Sequence, residues 1–339
     1  MTIHIGLIGG GNISETHARA ALGIDGVSIA AIYGTNAAKT ETLCQKHGGT
    51  PYQDFAAFLR HAPMNMVVIG SPSGLHAEQG IASAERGLHV LVEKPIDIST
   101  ERTDPLIRAA EQARVKLGVI FQDRLKTNIA RLKQAIRGGV LGKIILVEAR
   151  VKWFRPQEYY GDSKWRGTLA LDGGGALINQ GIHTVDLLQW LFGDVARVQS
   201  RIATALHAIE GEDTVVATLE FANGALGVLH ATTAAYPGYP RRLEISGTNG
   251  TVILEQDRIV TADLREGGPE LLGMDSVDQN ASASSAVVSD IRGHQLAIED
   301  FIRAIRTGAT PACDGQEGRR SVALVEAIYR AAKTPGTAV

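Results

Sequence analysis

The sequence predicts an α/β fold in two parts. An N-terminal doubly wound parallel sheet is followed by a C-terminal α/β domain built on an open, largely antiparallel sheet. Three observations carry this reading. A glycine-rich turn sits between a strand and a helix in Ile3 to Ala21, IHIGLIGGGNISETHARAA. Strand and helix patterns then alternate to about residue 120, and from about residue 143 alternating strands with a hairpin signal take over. At 339 residues the chain exceeds one ordinary core. We expect two domains, residues 1–122 and 123–339.

Taken in order, Ile3, Ile5, Leu7 and Ile8 form a short apolar strand, Gly9-Gly10-Gly11 turns the chain, and Ser14 to Leu22 has helical composition. Gly9-x-Gly11-x-x-Ser14 matches the dinucleotide fingerprint: Gly9 for the turn, Gly11 for close approach to a pyrophosphate, Ser14 for helix-on-strand packing. The phosphates would sit at the helix N-terminus, at Asn12 and Ile13, where free N–H groups and the helix dipole favour anions. Val27 to Tyr33 is a second buried strand, followed by a helix from about Ala37 to His47. Met66 to Ile69, His89 to Val92 and Leu117 to Ile120 continue the strands, with helices at Leu75 to Arg86 and Thr100 to Arg114 between them. Such alternation implies right-handed crossovers and ligands at the C-terminal ends of the strands. Ser71-Pro72-Ser73-Gly74-Leu75-His76 and Glu93-Lys94-Pro95 fall at those ends.

Beyond Gln122 the character changes. Thr127 to Arg137 reads as a helix, Lys143 to Trp153 as a long half-exposed strand, and Ala176 to Phe192 as a glycine-flanked helix. Strands are expected at about Val195 to Ala205, Thr214 to Phe221, Ala225 to Ala234, Leu243 to Ser246 and Val252 to Glu255, with Asn223-Gly224 as a hairpin turn. Residues 266–289 read as a mobile loop, and helices at Gly293 to Arg306 and Gly318 to Ala332 close the chain.

A net charge of −2 with dispersed Lys and Arg gives no electrostatic case for nucleic acid or an anionic membrane as partner. Cys44 and Cys313 are too few for a disulfide framework, and neither belongs to a metal set. The first strand begins at residue 3, and no apolar run reaches about 18 residues. These features lead to the expectation of a soluble, cytoplasmic protein with no metal.

The motifs GLIGGGNIS, THARA, PSGLH, Glu93-Lys94-Pro95, Gly173-Gly174-Gly175 and Gln180-Gly181-Ile182-His183-x-x-Asp186-Leu187-Leu188 occur in this order. With FIRAIRTGATPACDGQEGRRSVALVEAIYRAA near the C-terminus, the chain resembles the Gfo/Idh/MocA family, named after glucose-fructose oxidoreductase and inositol dehydrogenase. The resemblance covers nearly the whole chain. It implies a Rossmann domain followed by an α/β domain whose sheet often forms the subunit interface, hence a homodimer or homotetramer through the C-terminal sheet. It also implies oxidation of a ring hydroxyl of a sugar, sugar acid, nucleotide sugar or cyclitol with a nicotinamide cofactor, and a cis Lys94-Pro95 peptide.

The residues support that chemistry independently. Alcohol oxidation removes a hydride from carbon and a proton from oxygen, so a basic group must reach the hydroxyl beside the nicotinamide. Lys94 follows a strand at the cofactor end. His183 is the second candidate: Asn179 and His183 are four apart on one helix face, and Asp186, three further on, can orient the imidazole. The family pattern often has Asp where this chain has Asn179. A neutral amide takes no proton, so Asn179 reads as a substrate hydrogen-bonder and acid–base work falls to Lys94 and His183. On the cofactor side, the resemblance places Ser71, Pro72, Ser73, His76, Glu93 and Gln122 around the nucleotide. Gln122-Asp123-Arg124-Leu125-Lys126 departs from the usual QNRF-x-P pattern.

Trp153 to Asp172 concentrates Trp153, Phe154, Tyr159, Tyr160 and Trp165 with Arg155, Lys164 and Arg166, in a chain only 5% aromatic. Aromatic faces with interleaved Arg suit sugar rings and anionic groups. Tyr160, Trp165, Arg166 and Arg155 are therefore the expected substrate contacts. RPQEYY, WRGT and GGALINQ are similar to nucleotide-sugar 3-dehydrogenases acting on UDP-linked N-acetylated glucuronic acid. The second strand ends at Gly34, where NAD-specific relatives carry Asp, and Thr35, Asn36 and Lys39 can meet a 2′-phosphate. NADP is thus expected over NAD. A nucleotide-sensing regulator and a reductase of a non-sugar carbonyl are the rival readings. Retention of both Lys94 and His183 argues against the first, and the polar WRGT block and Asn179 against the second.

Overall fold

The computed structural model describes residues 2–267 and 291–334. In chain order the elements are β1 (Ile3–Ile8), α1 (Asn12–Leu22), β2 (Val27–Tyr33), α2 (Ala37–His47), β3 (Thr50–Tyr52), α3 (Phe55–Phe58), β4 (Met66–Ile69), α4 (His76–Glu85), β5 (His89–Glu93), α5 (Thr100–Ala113) and β6 (Leu117–Ile120). They continue with α6 (Thr127–Arg137), β7 (Ile144–Lys152), α7 (Gln157–Gly161), α8 (Ile182–Phe192), β8 (Val195–Ala203), β9 (Thr214–Phe221), β10 (Leu226–Thr232), β11 (Arg242–Gly247), β12 (Gly250–Glu255), β13 (Arg258–Leu264), α9 (Arg292–Thr307) and α10 (Gly315–Ala331). The expected loop over 266–289 lies almost wholly outside the described residues. No helix among the described residues is long and apolar enough to cross a membrane.

The chain forms two compact units. The first holds a six-stranded sheet in the order β3-β2-β1-β4-β5-β6, every pair parallel. Its central strands are continuous apolar runs, as a sheet covered on both faces requires. β4 is buried along its whole length. The short β3 lies at the edge, and its three exposed or half-exposed residues carry too little pattern to be read from the sequence.

The structure divides the chain differently from the expected boundary at residue 122. The first unit runs to Leu125 and also takes α9 and the first half of α10, through Val322. The reason is the apolar face of α9. Ala297, Ile298, Phe301 and Ile302 are buried in one cluster with Ile3, Ile5 and Leu7 of β1 and with Ala18 and Ala21 of α1. That face completes the cover of the parallel sheet.

The second unit holds a seven-stranded sheet in the order β13-β12-β11-β7-β10-β9-β8. β7 and β10 run parallel, and the other neighbours are antiparallel. Alternation is clear in β9, where Val215, Ala217, Leu219 and Phe221 are buried and Val216 and Thr218 are exposed. One face is therefore packed and the other open, as the sequence pattern predicts. The expected helix over 176–192 is two structures: residues Ala176–Gly181 form a π-helical turn, and α8 follows.

Candidate functional site

Each unit carries its own set of candidate residues. In the first, β1 and β4 are neighbours where the strand order reverses, which is where open parallel sheets bind ligands. Gly9 turns the chain there with φ +126, a conformation that favours glycine. A Cβ on Gly9 would lie 2.7 Å from the Gly70 carbonyl oxygen and 2.9 Å from Ser14 Oγ. The turns after β1 and β4 are thus in contact. α1 begins at Asn12 with no side-chain cap, and a Cβ on Gly11 would meet nothing within 4 Å. Open space before an uncapped helix start fits the diphosphate of a dinucleotide.

After β2, Gly34 is buried while Thr35, Asn36 and Lys39 are exposed. Asn36 caps α2, its Oδ1 accepting the Lys39 N–H at 3.0 Å. Asn36 Oδ1 is thus committed to the helix, and its amide nitrogen, the donor a phosphate needs, is left to meet a ligand. A Cβ on Gly34 would fall 2.5 Å from Thr40 Oγ1, which donates to the Asn36 carbonyl at 2.9 Å.

The loops after β4 and β5 are joined by His76. Its Nδ1 lies 2.8 Å from the Pro95 carbonyl oxygen and its Nε2 2.9 Å from that of Ser71. Ser71 Oγ donates to Gln79 Oε1 at 2.6 Å, and Pro72 leads into a 3₁₀ turn, Ser73–Leu75, with Ser73 buried. Lys94 is half-buried directly after β5, and Lys94-Pro95 is cis, as the resemblance implies. Two expected cofactor contacts are corrected. The His76 ring is buried with both nitrogens on backbone carbonyls, and Glu93 is buried with its carboxylate on His17 and His294. Both side chains are bonded within the first unit. Gln122 packs on the start of α9, where a Cβ on Gly293 would come within 3.0 Å of its Cγ. Gln122 Oε1 is buried with no hydrogen-bond partner among the described residues.

In the second unit the glycine run Gly173-Gly174-Gly175 lies against Gly211-Glu212. A Cβ on Gly175 would sit 1.8 Å from the Glu212 carbonyl oxygen, so only glycine allows the approach. Ala176 N–H donates to that carbonyl at 2.7 Å. The Glu212 carboxylate accepts the N–H groups of Gly175 at 3.1 Å and Leu177 at 2.7 Å, and the Tyr329 hydroxyl at 3.1 Å. A side-chain acceptor takes the first N–H groups of the turn, which widens into a π-helical turn of the kind often found at functional sites. Burial raises the Glu212 carboxyl above its ordinary range, against the hydrogen bonds it accepts.

Asn179 emerges from this turn, and its Nδ2 donates to Asp172 Oδ1 at 2.6 Å. Asp172 Oδ2 accepts the Gly167 N–H at 2.8 Å. Gln180 Nε2 reaches Asn179 Oδ1 at 3.1 Å and the Tyr159 hydroxyl at 2.9 Å. Arg166 lies over the Tyr159 ring, 4.3 Å from its centroid, and 5.4 Å from that of the half-buried Trp165. His183, half-buried, follows in the first turn of α8.

Three expected site residues lie buried. Tyr160 is buried, its hydroxyl 2.8 Å from Thr233 Oγ1, and burial pushes that phenol up to about 12. Arg155 is buried against Trp153 and Tyr159, and donates from Nη1 to the Phe154 carbonyl. Asp186 is 1% exposed, on the inner face of α8.

Sequence reasoning missed Asp172, Gln180, Tyr159 and Glu212 here, and His17 and His294 in the first unit. Asp172 and Gln180 lie inside motifs already singled out. Glu212 and His294 carry no local signal, because each acts on a segment distant in sequence.

Two family descriptions match the chain. "Oxidoreductase family, NAD-binding Rossmann fold" covers residues 3–121, and "GFO/IDH/MocA C-terminal domain" covers residues 129–253. The inositol 2-dehydrogenase of Rhizobium meliloti is 26% identical over 337 residues, 97% of either chain. The D-apiose dehydrogenase of Paraburkholderia graminis is 28% identical, over 96% of this chain and 87% of that one. Among solved structures, the WlbA dehydrogenase of Bordetella pertussis, in complex with NADH and UDP-GlcNAcA, is 35% identical with a TM-score of 0.88. That match covers 98% of this chain and 97% of WlbA.

Proposed function

The chain belongs to the GFO/IDH/MocA oxidoreductases, and from that premise we infer that it is a nicotinamide-dependent dehydrogenase of a ring hydroxyl on a nucleotide-linked sugar acid. One observation carries the reading: the uncapped start of α1 opens at the reversal of strand order, and His76 ties the loop after β4 to the turn bearing Lys94. A bound nicotinamide supplies the hydride acceptor. Asn12 and Ile13 would hold its diphosphate through their backbone N–H groups. His183 takes the hydroxyl proton, and the Lys94 ammonium stabilises the oxygen as it gains negative charge. Asn179 and Gln180 orient the ring, while Arg166 meets an anionic group of the substrate. The WlbA likeness and the Tyr159–Arg166–Trp165 stack support a nucleotide-linked sugar acid over a bare cyclitol.

The cofactor we assign is NADP. The end of β2 offers no acidic group to hold a free 2′-hydroxyl, and Thr35, the Asn36 amide and Lys39 lie exposed beside it. We also assign the open face of the seven-stranded sheet as the surface joining subunits in a homodimer or homotetramer.

The test is a substrate panel followed at the reduced-nicotinamide absorbance, with NAD and NADP side by side. UDP-linked sugar acids should be turned over fastest and inositols poorly; the reverse order would refute the substrate assignment. NADP should bind more tightly than NAD, and the opposite ranking in a direct titration overturns that choice. Because a side chain at Gly34 meets Thr40, a shift toward NAD should appear more fully in Gly34→Asp combined with Thr40→Ala than in Gly34→Asp alone.

A further inference from the structure

The first unit holds a charged cluster that the proposed chemistry does not use. His17 on α1, Glu93 at the end of β5 and His294 on α9 are all buried. Glu93 Oε1 lies 2.9 Å from His17 Nε2 and 3.2 Å from His294 Nε2. The other carboxylate oxygen accepts the backbone N–H of Lys94 at 3.1 Å. One carboxylate thus joins α1 and α9 to the amide of the residue that follows it. The His17 ring also lies against the turn after β4, where a Cβ on Gly70 would come within 3.1 Å of its Cε1.

Burial works against charge on Glu93, yet the bonds donated by His17 and His294 hold its carboxyl well below the ordinary range. Burial lowers His17, outweighing the bond to Glu93, so the imidazole is neutral at neutral pH. A neutral ring facing a carboxylate through Nε2 carries its proton there and leaves Nδ1 as a bare acceptor. Nδ1 of both His17 and His294 is buried without a hydrogen-bond partner among the described residues.

That detail decides between two readings. The three ligand atoms lie within 4.8 Å of one another, a spacing a transition metal tolerates. A metal-bound imidazole, however, donates its other N–H to an acceptor, and neither ring has one among the described residues. For His17, hydrogen bonding to the carboxylate leaves only a lone pair unpaired, a lesser cost than a buried N–H with no acceptor.

We propose that His17 and His294 are positioning residues for Lys94: they lock the Glu93 carboxylate, which holds the Lys94 backbone and so sets where its ammonium is presented. This rests on the reading of Lys94 as the group that stabilises the developing alkoxide.

The test uses full-length His294→Leu and Glu93→Gln, each made alone and in a Lys94→Ala background. The mechanism predicts a fall in kcat of about tenfold in each single variant, with cofactor Kd and substrate KM within about twofold. His294→Gln should recover most of the rate, because its amide donates from nearly the same place. In the Lys94→Ala background neither change should cost anything further, whereas a general loosening of the fold would cost the same with or without Lys94. If His294→Leu does not fold, Glu93→Gln, nearly identical in shape, decides the matter. Wild-type kcat in the single variants, or an equal loss in both backgrounds, overturns the proposal and leaves the role of Lys94 standing. Full activity in Lys94→Ala would instead remove the reading beneath it. One equivalent of zinc in the purified protein, lost in His294→Leu, would overturn positioning in favour of a metal site.

Discussion

In the proposed mechanism Lys94 and His183 divide the acid–base work by their intrinsic chemistry. A lysine stays protonated at neutral pH unless strongly perturbed, whereas an imidazole titrates near 6.5 unaided. Lys94→Ala and His183→Ala should each lower kcat by at least about a hundredfold, in line with general acid–base contributions, with cofactor binding retained. The double variant should lose far less than the product, because groups acting as a unit are non-additive. Near-normal turnover in either single variant removes that residue from the mechanism. For Arg166, stacked on Tyr159, truncation to Ala should raise substrate KM or lower turnover while cofactor affinity stays within about twofold. Loss of cofactor binding would count against its assignment. Lys94, His183 and Asn179 were legible as candidates because each sits in a local motif. The partners of Glu93 were not, since its bonds to His17 and His294 span 76 and 201 residues. Tyr160 and Arg155 lie buried, which was not legible because composition reveals an aromatic-basic block without saying which of its members face inward.

The π-helical turn Ala176–Gly181 shows the same limit at the level of elements. Residues 176–192 are apolar and glycine-flanked, so they read as one helix. The Glu212 carboxylate caps this first turn, taking the Leu177 N–H across 35 residues of sequence. Strands with long alternation, such as β7 and β9, were plain, whereas β13, half-exposed and without clear periodicity, was not. The buried Glu212 also gives this element a pH signature. Its folded-state pKa is raised by burial above the ordinary 4.5. A raised pKa contributes stability that is complete below the unfolded value and is lost as pH climbs through the folded one. Against Glu212→Gln, the wild-type denaturation midpoint should therefore decline as pH rises from about 4.5. Parallel stability–pH curves for the two proteins would show that the carboxyl does not titrate in this way.

Across the whole molecule, the alternation of strands and helices made the doubly wound parallel sheet readable, because crossover handedness leaves few arrangements, while its strand order came only with the structure. The destination of α9 was not readable: an amphipathic pattern says that a face is buried, and only the fold says against what. The open face of the seven-stranded sheet poses the complementary question, since its pattern says which residues face outward and not what covers them. Strand register aligns Leu146 with Leu226, and Arg150 with His230, which in turn aligns with Val216. Leu226 and Val216 are 57% and 49% exposed. Apolar side chains set among charged ones on a broad sheet suit a second copy of the same surface, which a two-fold axis makes self-complementary. In a lone protomer Leu226→Asp is a surface change, within about 0.5 kcal/mol of neutral. Inside a subunit interface the same carboxylate would be buried without a partner and would cost several kcal/mol of association. Sedimentation velocity should then find the wild type as a dimer or tetramer and Leu226→Asp at a lower mass, with its secondary structure unchanged. A monomeric wild type, or a variant that keeps the wild-type mass, would rule out this face as the interface.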